Sequence, residues 1–411
     1  MINPQLVPGY RALISARVLS STILWVDFTL VFSLLGYYWH ADAATIGVAS
    51  ALYGLPGLVL GPFFGALADR VNPVAMLAVS YVARALTSLL LLFAPDIHFF
   101  VLLVFLKGLA NLGAMPAEQV IVRTMLSKAQ FVSNASIMST VDQLTKICAP
   151  LVGAGMASLH HPMAGFGLSA TLGLAGILCL YPLRKHAGMS KREGGTHARR
   201  HLHALVLLAR DNAVFRRAFA AAVSQTAILG LYDSLLALFL KEKGMPAGTF
   251  GMIVSSTAAG AILGALIFKQ VHGKGGHCTA AVGLAGFGLT VAVPGMLALA
   301  NISTPVWLLL AFWVANGCFY GLTAMSFLVA MQQQCPLESI GTVSATARSV
   351  QLAALVLGPL AGAALAKLLG ISLVFVLSGT IAIVIGGVFG WAPRAGIRSP
   401  LLRPPVERER R

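Results

Sequence analysis

Nine charged side chains fall inside long apolar runs of the sequence: the acids Asp27, Glu118, Asp142 and Asp233, and the bases Arg17, Arg84, Lys107, Lys146 and Arg348. A charge held at the centre of a bilayer costs about 2.5–3.5 kcal/mol on insertion scales. Each of the nine must therefore be paired, bonded to a neighbouring helix, or reached by a water-filled cavity. The chemistry open to such a set is proton uptake by a carboxylate and capture of an oppositely charged group on a small molecule.

Spacing narrows the roles. Asp27 lies ten residues beyond Arg17, about 15 Å along a helix, and its side chain is too short to reach water by snorkelling. It is expected either to take a proton or bind substrate, or to make a structural bond to another helix. Arg17, nearer the end of its run, is expected to snorkel. Asp233 shares the argument for Asp27. Lys107 and Glu118 are eleven residues apart, close to three helical turns, with Asn111 between them on one face. That stripe suits a helix lining a cavity, and Glu118 has a second option in pairing with Arg84 or Arg123. Asp142 and Lys146 stand four apart with the acid first, the favourable order for a self-neutralising pair. As a functional device, that pair would open when the acid is protonated. Arg84 and Arg348 have no acid three or four residues away, so they need partners on other helices or an anionic substrate.

Catalytic chemistry finds no such support. The sequence has no Walker A segment, no HExxH and no CxxC. The five cysteines lie in or beside apolar stretches and are expected to be buried thiols. His160, His161, His197, His201 and His203 fall in loops and are expected to be solvated. No metal, cofactor or enzymatic activity is expected.

Composition explains what carries these residues. The chain has 411 residues, 57% hydrophobic and 10% charged, against about 25% charged in soluble domains. So few charges cannot cover a water-facing surface, and the remainder is expected to face lipid. Runs long enough to span occur near 12–39, 44–68, 73–95, 98–123, 135–159 and 164–183. A second set lies near 214–240, 248–268, 278–300, 304–332, 341–366 and 370–392. In lipid these must be helices. The expected fold is an all-α polytopic membrane protein of twelve transmembrane helices in two pseudo-symmetric six-helix bundles. The first apolar run is expected to be a span and not a removable signal. The domain reading is an N-terminal bundle at 1–183, a basic central loop at 184–212, a C-terminal bundle at 213–392 and a basic disordered tail at 393–411.

With both termini inside, 21 of the 29 Lys and Arg fall on the cytoplasmic side and 3 on the other. This bias sets the expected orientation, with both termini cytoplasmic. It also accounts for the net charge of +16 as an orientation signal beside anionic lipid, with no nucleic-acid partner.

The halves repeat. SNASIMSTVDQLTKICAPLVGAGMA aligns with VSATARSVQLAALVLGPLAGAALA, setting Pro150 against Pro359 and Gly153 against Gly362, with Gly358 beside the second proline. Asp27 and Asp233 each follow a small hydroxyl residue, Ser20 and Thr226, by seven positions. One six-helix unit used twice predicts a substrate site between the two lobes.

These features resemble the major facilitator superfamily across essentially the whole chain. The segment Gly65 to Arg70, GALADR, is similar to that family's loop motif, which implies gate roles for Gly65, Asp69 and Arg70. The basic cluster that normally follows is replaced by Val71-Asn72-Pro73-Val74. Within the family, Val26-Asp27, Arg84, Lys107-Gly108 and Pro116-Ala117 resemble the bacterial efflux branch that includes macrolide and enterobactin-type siderophore exporters. Lysophospholipid transporters share much of this frame but carry Pro-Ala-Lys where this chain has Pro116-Ala117-Glu118. APLVG and GPLAG resemble an antiporter motif, with Ala149 in place of one glycine; close helix packing around small residues is the favoured explanation. The resemblance implies a monomeric, proton-coupled exporter of a small amphipathic molecule working by alternating access. A lysophospholipid flippase and a non-transporting receptor or scaffold are the other readings. The orientation is testable with a reporter active only outside the cytoplasm. It is expected to be silent when fused after His186 or Trp391 and active when fused after Leu299.

Overall fold

The computed structural model describes residues 7–68, 70–127, 130–158, 161–186, 198–271, 279–335 and 340–391. Among them the chain is nearly all helix and contains no strand. The N-terminal half runs through α1 (Tyr10–Tyr37), α2 (Ala43–Ala68), α3 (Pro73–Leu92), α4 (Ile97–Ala110), α5 (Ala114–Met125), α6 (Phe131–Ala157) and α7 (Gly165–Cys179). After α8 (Ala198–Asp211), the second half contains α9 (Ala213–Tyr232), α10 (Leu236–Glu242), α11 (Gly248–Val271), α12 (Thr279–Leu299), α13 (Val306–Gln334), α14 (Ile340–Leu369) and α15 (Ile371–Trp391).

Among the described residues, eleven helical segments are long and apolar enough to cross a membrane, α4–α5 and α9–α10 each counting as one. The twelfth expected span is α6. Its Asp142, Lys146 and hydroxyl residues dilute its apolar character, yet it is 27 residues long and packs against α1 and α11. Polar residues in the turns start the helices. Asn72, in the segment where a basic cluster was expected, caps α3 by accepting from the Val74 and Ala75 amides, with Pro73 in the first turn. Asp96 and Asn212 cap α4 and α9 in the same way.

Three expectations change. Spans four and seven are broken, at Asn111–Gly113 and at Asp233–Leu235. The central loop contains α8, whose Leu205 packs with Phe215, Cys335, Val343 and Ala347. Cys148 is exposed and not buried, which an apolar thiol tolerates beside lipid. The tail at 393–411, Asp69 and Cys278 lie outside the described residues. Large exposed apolar side chains, including Val79, Phe93, Leu178, Leu368 and Trp391, form a surface that only lipid could cover.

The two halves meet through α2 with α14 and α6 with α11. The contacts are related by the repeat. A Cβ built on Gly47 would sit 2.7 Å from the Pro359 carbonyl oxygen and 2.5 Å from Ala363 Cβ. One built on Gly251 would sit 2.3 Å from the Pro150 carbonyl oxygen and 2.4 Å from Ala154 Cβ. Glycine is required at both because the backbones touch. Nearby, Tyr37 donates to the Met245 carbonyl at 2.9 Å and Lys241 to the Gly36 carbonyl at 2.7 Å. At the other end of α2, nothing lies within 4 Å of a Cβ built on Gly61 or Gly65.

The core follows this asymmetry. One apolar cluster joins both lobes and contains Leu30, Phe100, Phe166, Phe239, Phe250 and Phe375. Towards the Gly65 end, the two lobes have separate clusters, one around Tyr10 and Tyr81 and one around Phe215. The bundle is therefore closed at one end and parted at the other.

Gly251→Leu is expected to destabilise the closed end by about 1–3 kcal/mol, the cost of overpacking. Spin labels at His98 and Asn301, one in each lobe at that end, should show a longer separation in this variant. Gly65→Leu should leave the separation unchanged.

Candidate functional site

The site is organised along one face of α1. Positions 17, 20, 21 and 27 repeat at helical spacing, and all four carry polar side chains that meet other helices. Arg17 extends from α1 to two acids at once. Its Nε and Nη2 donate to the two carboxylate oxygens of Asp142 on α6 at 2.8 and 2.7 Å, and its Nη1 donates to Glu118 on α5 at 2.6 Å. One turn deeper, Ser20 accepts from Arg84 Nη1 of α3 at 2.7 Å, and Ser21 shares a 2.7 Å hydrogen bond with Thr145 of α6. Deepest is Asp27, whose Oδ2 lies 2.8 Å from Lys107 Nζ on α4. Lys107 also donates to the Arg84 carbonyl at 3.0 Å and to the Ser88 hydroxyl.

Several expected pairings are replaced. Arg17 turns inward and does not snorkel. Asp142 pairs with Arg17 and not with Lys146, because a planar guanidinium matches both carboxylate oxygens while a lysine matches only one. Glu118 also takes Arg17, leaving Arg84 bonded to neutral oxygens and Arg123 exposed. Lys107 and Glu118 do turn to one helix, α1, although the α4–α5 break lies between them. Asn111, at that break, donates to the Tyr53 hydroxyl at 3.2 Å. Arg348 is exposed on α14 and forms no ion pair among the described residues.

The charges divide by access. Asp27 and Lys107 have side chains 1% and 0% exposed, so their pair is sealed in the N-terminal lobe. Arg84 is buried as well, with Nε unpartnered, and so is Glu118, with Oε1 unpartnered. Asp142, Lys146 and Asp233 are only half-buried. Lys146 lies 5.1 Å from the centroid of the Trp25 ring, a cation–π contact. Asp233 sits at the break between α9 and α10. Trp25, Tyr53 and Ser88 gave no sequence signal, because each matters only through a residue on another helix.

The repeated glycines make packing contacts beside the two acids. A Cβ on Gly153 would meet Val26 and Thr29 at 3.0 Å, flanking Asp27. One on Gly362 would meet the Leu231 carbonyl oxygen at 1.9 Å, two residues before Asp233, and one on Gly358 would meet Gly230 at 2.7 Å. In each lobe, these glycines bring one helix close to the helix that carries the aspartate. Of the loop residues, Gly65 has open space around it and Arg70 is exposed.

The sequence profile described as the Major Facilitator Superfamily matches residues 13–354. The chain belongs to this superfamily. It is a multi-pass membrane transporter, 23% identical over 383 residues to the "Uncharacterized MFS-type transporter YfiS" of Bacillus subtilis (strain 168), covering 92% of this chain and 91% of that one. Its fold is similar to a variant of the nucleoside transporter NupG, with a TM-score of 0.78 and 15% identity over 93% of this chain and 98% of the other. It is also similar to a bacterial homologue of the human lysosomal transporter Spinster in an inward-facing and unoccupied conformation. That match has a TM-score of 0.72 and 15% identity over 93% and 96% of the two chains. At these identities the likeness speaks for the fold alone.

Removing either member of a sealed ion pair leaves the other charged and unmatched, which costs about 3–5 kcal/mol. Asp27→Asn and Lys107→Met are each expected to lower the melting temperature of the purified transporter sharply. The double variant Asp27→Leu with Lys107→Met should recover most of that loss. Equal melting of the two single variants and the parent would show that the pair does not hold the lobe.

Proposed function

We propose that this transporter exports a small amphipathic molecule, of the siderophore or drug type, in exchange for protons by alternating access. It works as a monomer in a bacterial inner membrane, with both termini and the parted end of the bundle facing the cytoplasm. Residues 1–183 and 213–392 act as the two rocking lobes, 184–212 as their tether and 393–411 as a basic tail. The observation that carries this reading is the pair of lobes joined at one end and parted at the other, with Asp142, Lys146 and Asp233 half-exposed between sealed cores. Orientation is supported by the loop charges, and export by the likeness of Val26-Asp27, Lys107-Gly108 and Pro116-Ala117 to the efflux branch.

Proton coupling is assigned to the carboxylates on Arg17. One guanidinium balances one carboxylate, while Glu118 and Asp142 both bond to it. A proton on either acid relieves the excess negative charge. Asp142, with its side chain 38% exposed, offers the path to water, and Glu118 Oε1 is unpartnered. Asp27 is matched one-to-one by Lys107, and protonating it would strand a sealed cation. It therefore serves the resting structure more than the proton cycle. A ligand or proton moves the lobes only as far as it favours one state over the other; the Arg17 cluster ties α1, α5 and α6 together, so its charge bears on how those helices pack.

The test is accumulation of a drug and siderophore panel in everted vesicles with an imposed proton gradient. At least one compound should accumulate only with the protein present and only while the gradient lasts. Glu118→Gln and Asp142→Asn should abolish that uphill movement yet retain exchange of substrate for substrate. Equal accumulation with and without the protein across the panel would sink the export reading.

A further inference from the structure

Most of the buried charges find partners inside the N-terminal lobe, but Lys146 and Asp233 do not. Lys146 stands on α6 in one lobe, and Asp233 stands at the α9–α10 break in the other. Neither side chain has a hydrogen bond or an ion pair among the described residues, and both are half-buried, so their charged atoms are not sealed. The turn that opens at Asp233 packs against α2 of the N-terminal lobe, so Asp233 stands at the seam, and the two opposite charges act on one another across it. Two such groups close enough to feel one another but more than 4.0 Å apart are not a closed salt bridge. They are two poles with a gap between them.

The walls of the gap are aromatic. The Trp25 ring faces the Lys146 ammonium at 5.1 Å. Trp25 packs edge-on against Phe28 at 5.7 Å, and Phe28 stacks on Phe250 of the other lobe at 6.3 Å. On the Asp233 side, its neighbour Tyr232 faces Phe287 at 6.2 Å, and Phe287 faces the half-buried Tyr320 of α13 at 6.3 Å. A ligand that carries both an anion and a cation beside an apolar part fits this arrangement. A ligand with one charge satisfies one pole and meets a like charge at the other.

We propose that Lys146 and Asp233 are the two poles of a substrate site for a zwitterionic amphiphile, with its carboxylate or phosphate on Lys146, its ammonium on Asp233 and its apolar part against Trp25 and Phe28. The proposal rests on the transporter reading and names the substrate class of that same site. It also gives the substrate a hold on both lobes. A bridging zwitterion binds the state in which the poles lie at its own length better than the state in which they part, which is the differential affinity that switching needs. Two sources share the chemistry: a soluble amino acid of ω-amino type, and the ethanolamine headgroup of a lysophospholipid.

The test uses the purified full chain in nanodiscs of phosphatidylcholine and phosphatidylglycerol, with tryptophan fluorescence and thermal shift as readouts. The soluble probes are 8-aminooctanoate, octanoate and octylamine; the lipid probes are lysophosphatidylethanolamine and lysophosphatidic acid. At least one zwitterion is expected to bind about tenfold or more tighter than its singly charged counterparts, a difference of about 1.4 kcal/mol. Lys146→Met should erase its advantage over the amine, and Asp233→Asn its advantage over the acid. The soluble or the lipid arm identifies the source. If a single variant misfolds, the exchanged pair Lys146→Asp with Asp233→Lys keeps both charges and should retain the zwitterion preference. Binding of neither zwitterion, or binding no tighter than the singly charged probes, overturns the proposal. So does a preference indifferent to both substitutions. Counterflow in proteoliposomes separates the two readings. A zwitterion bound through both poles but never moved overturns transport alone, and a compound moved equally by parent and both variants overturns the site alone.

Discussion

Lipid offers a charge no partner where α1 crosses the bilayer, so the polar face of that helix has to be answered by other helices. Arg17, Ser20, Ser21 and Asp27 each recruit a partner from a different part of the N-terminal lobe: α5 and α6, α3, α6, and α4. That ladder registers four helices against a fifth. It turns Arg84 and Lys107 inward, and it places Lys146, one turn past Asp142, beside Trp25. The C-terminal lobe shows the contrast. Its buried polar contacts are between neutral groups, such as Asn316 to Thr290 at 3.0 Å and Gln225 to Thr323 at 3.3 Å. The lobes share a plan but not an electrostatic load.

The symmetry of the repeat lies in packing and its asymmetry in charge. Gly47 on Pro359 and Ala363 mirrors Gly251 on Pro150 and Ala154, so the seam at the closed end is made twice from the same parts. Small residues let backbones approach in a medium where burial of side chains offers little drive. Asp27 and Asp233 occupy matching places in the repeat with opposite outcomes. Asp27 is in an unbroken helix and is closed over by Lys107. Asp233 is at a break and has no ion pair among the described residues. A duplicated bundle can thus hold one aspartate as structure and leave the other open to a ligand.

Much of this was legible in the amino-acid order. Twelve spans follow from the apolar runs, because lipid allows a chain of this kind only helices. The inward bias of Lys107, Glu118 and Asn111 follows from helical spacing. The Pro150–Pro359 and Gly153–Gly362 matches announced the repeat, and the structure sets the prolines at the seam between the lobes and the glycines beside the two aspartates. The central helix α8 and the breaks at Asn111 and Asp233 were not legible. A short break in a continuous apolar run leaves its hydropathy unchanged, and α8 had the composition of a basic loop.

Sequence by itself determined which residues must be dealt with: nine charges in apolar runs, arranged in a six-plus-six frame. It could not choose their partners. The i,i+4 spacing favoured Asp142 with Lys146, but the structure gives Asp142 to Arg17, which is 125 residues away and offers two parallel donors. Only the tertiary structure decided which charges are sealed and which are open. A side chain's partner in lipid depends on which helix faces it and at what depth. Spacing along one helix sets the face and the depth, but the neighbour across the gap is set by how the helices pack.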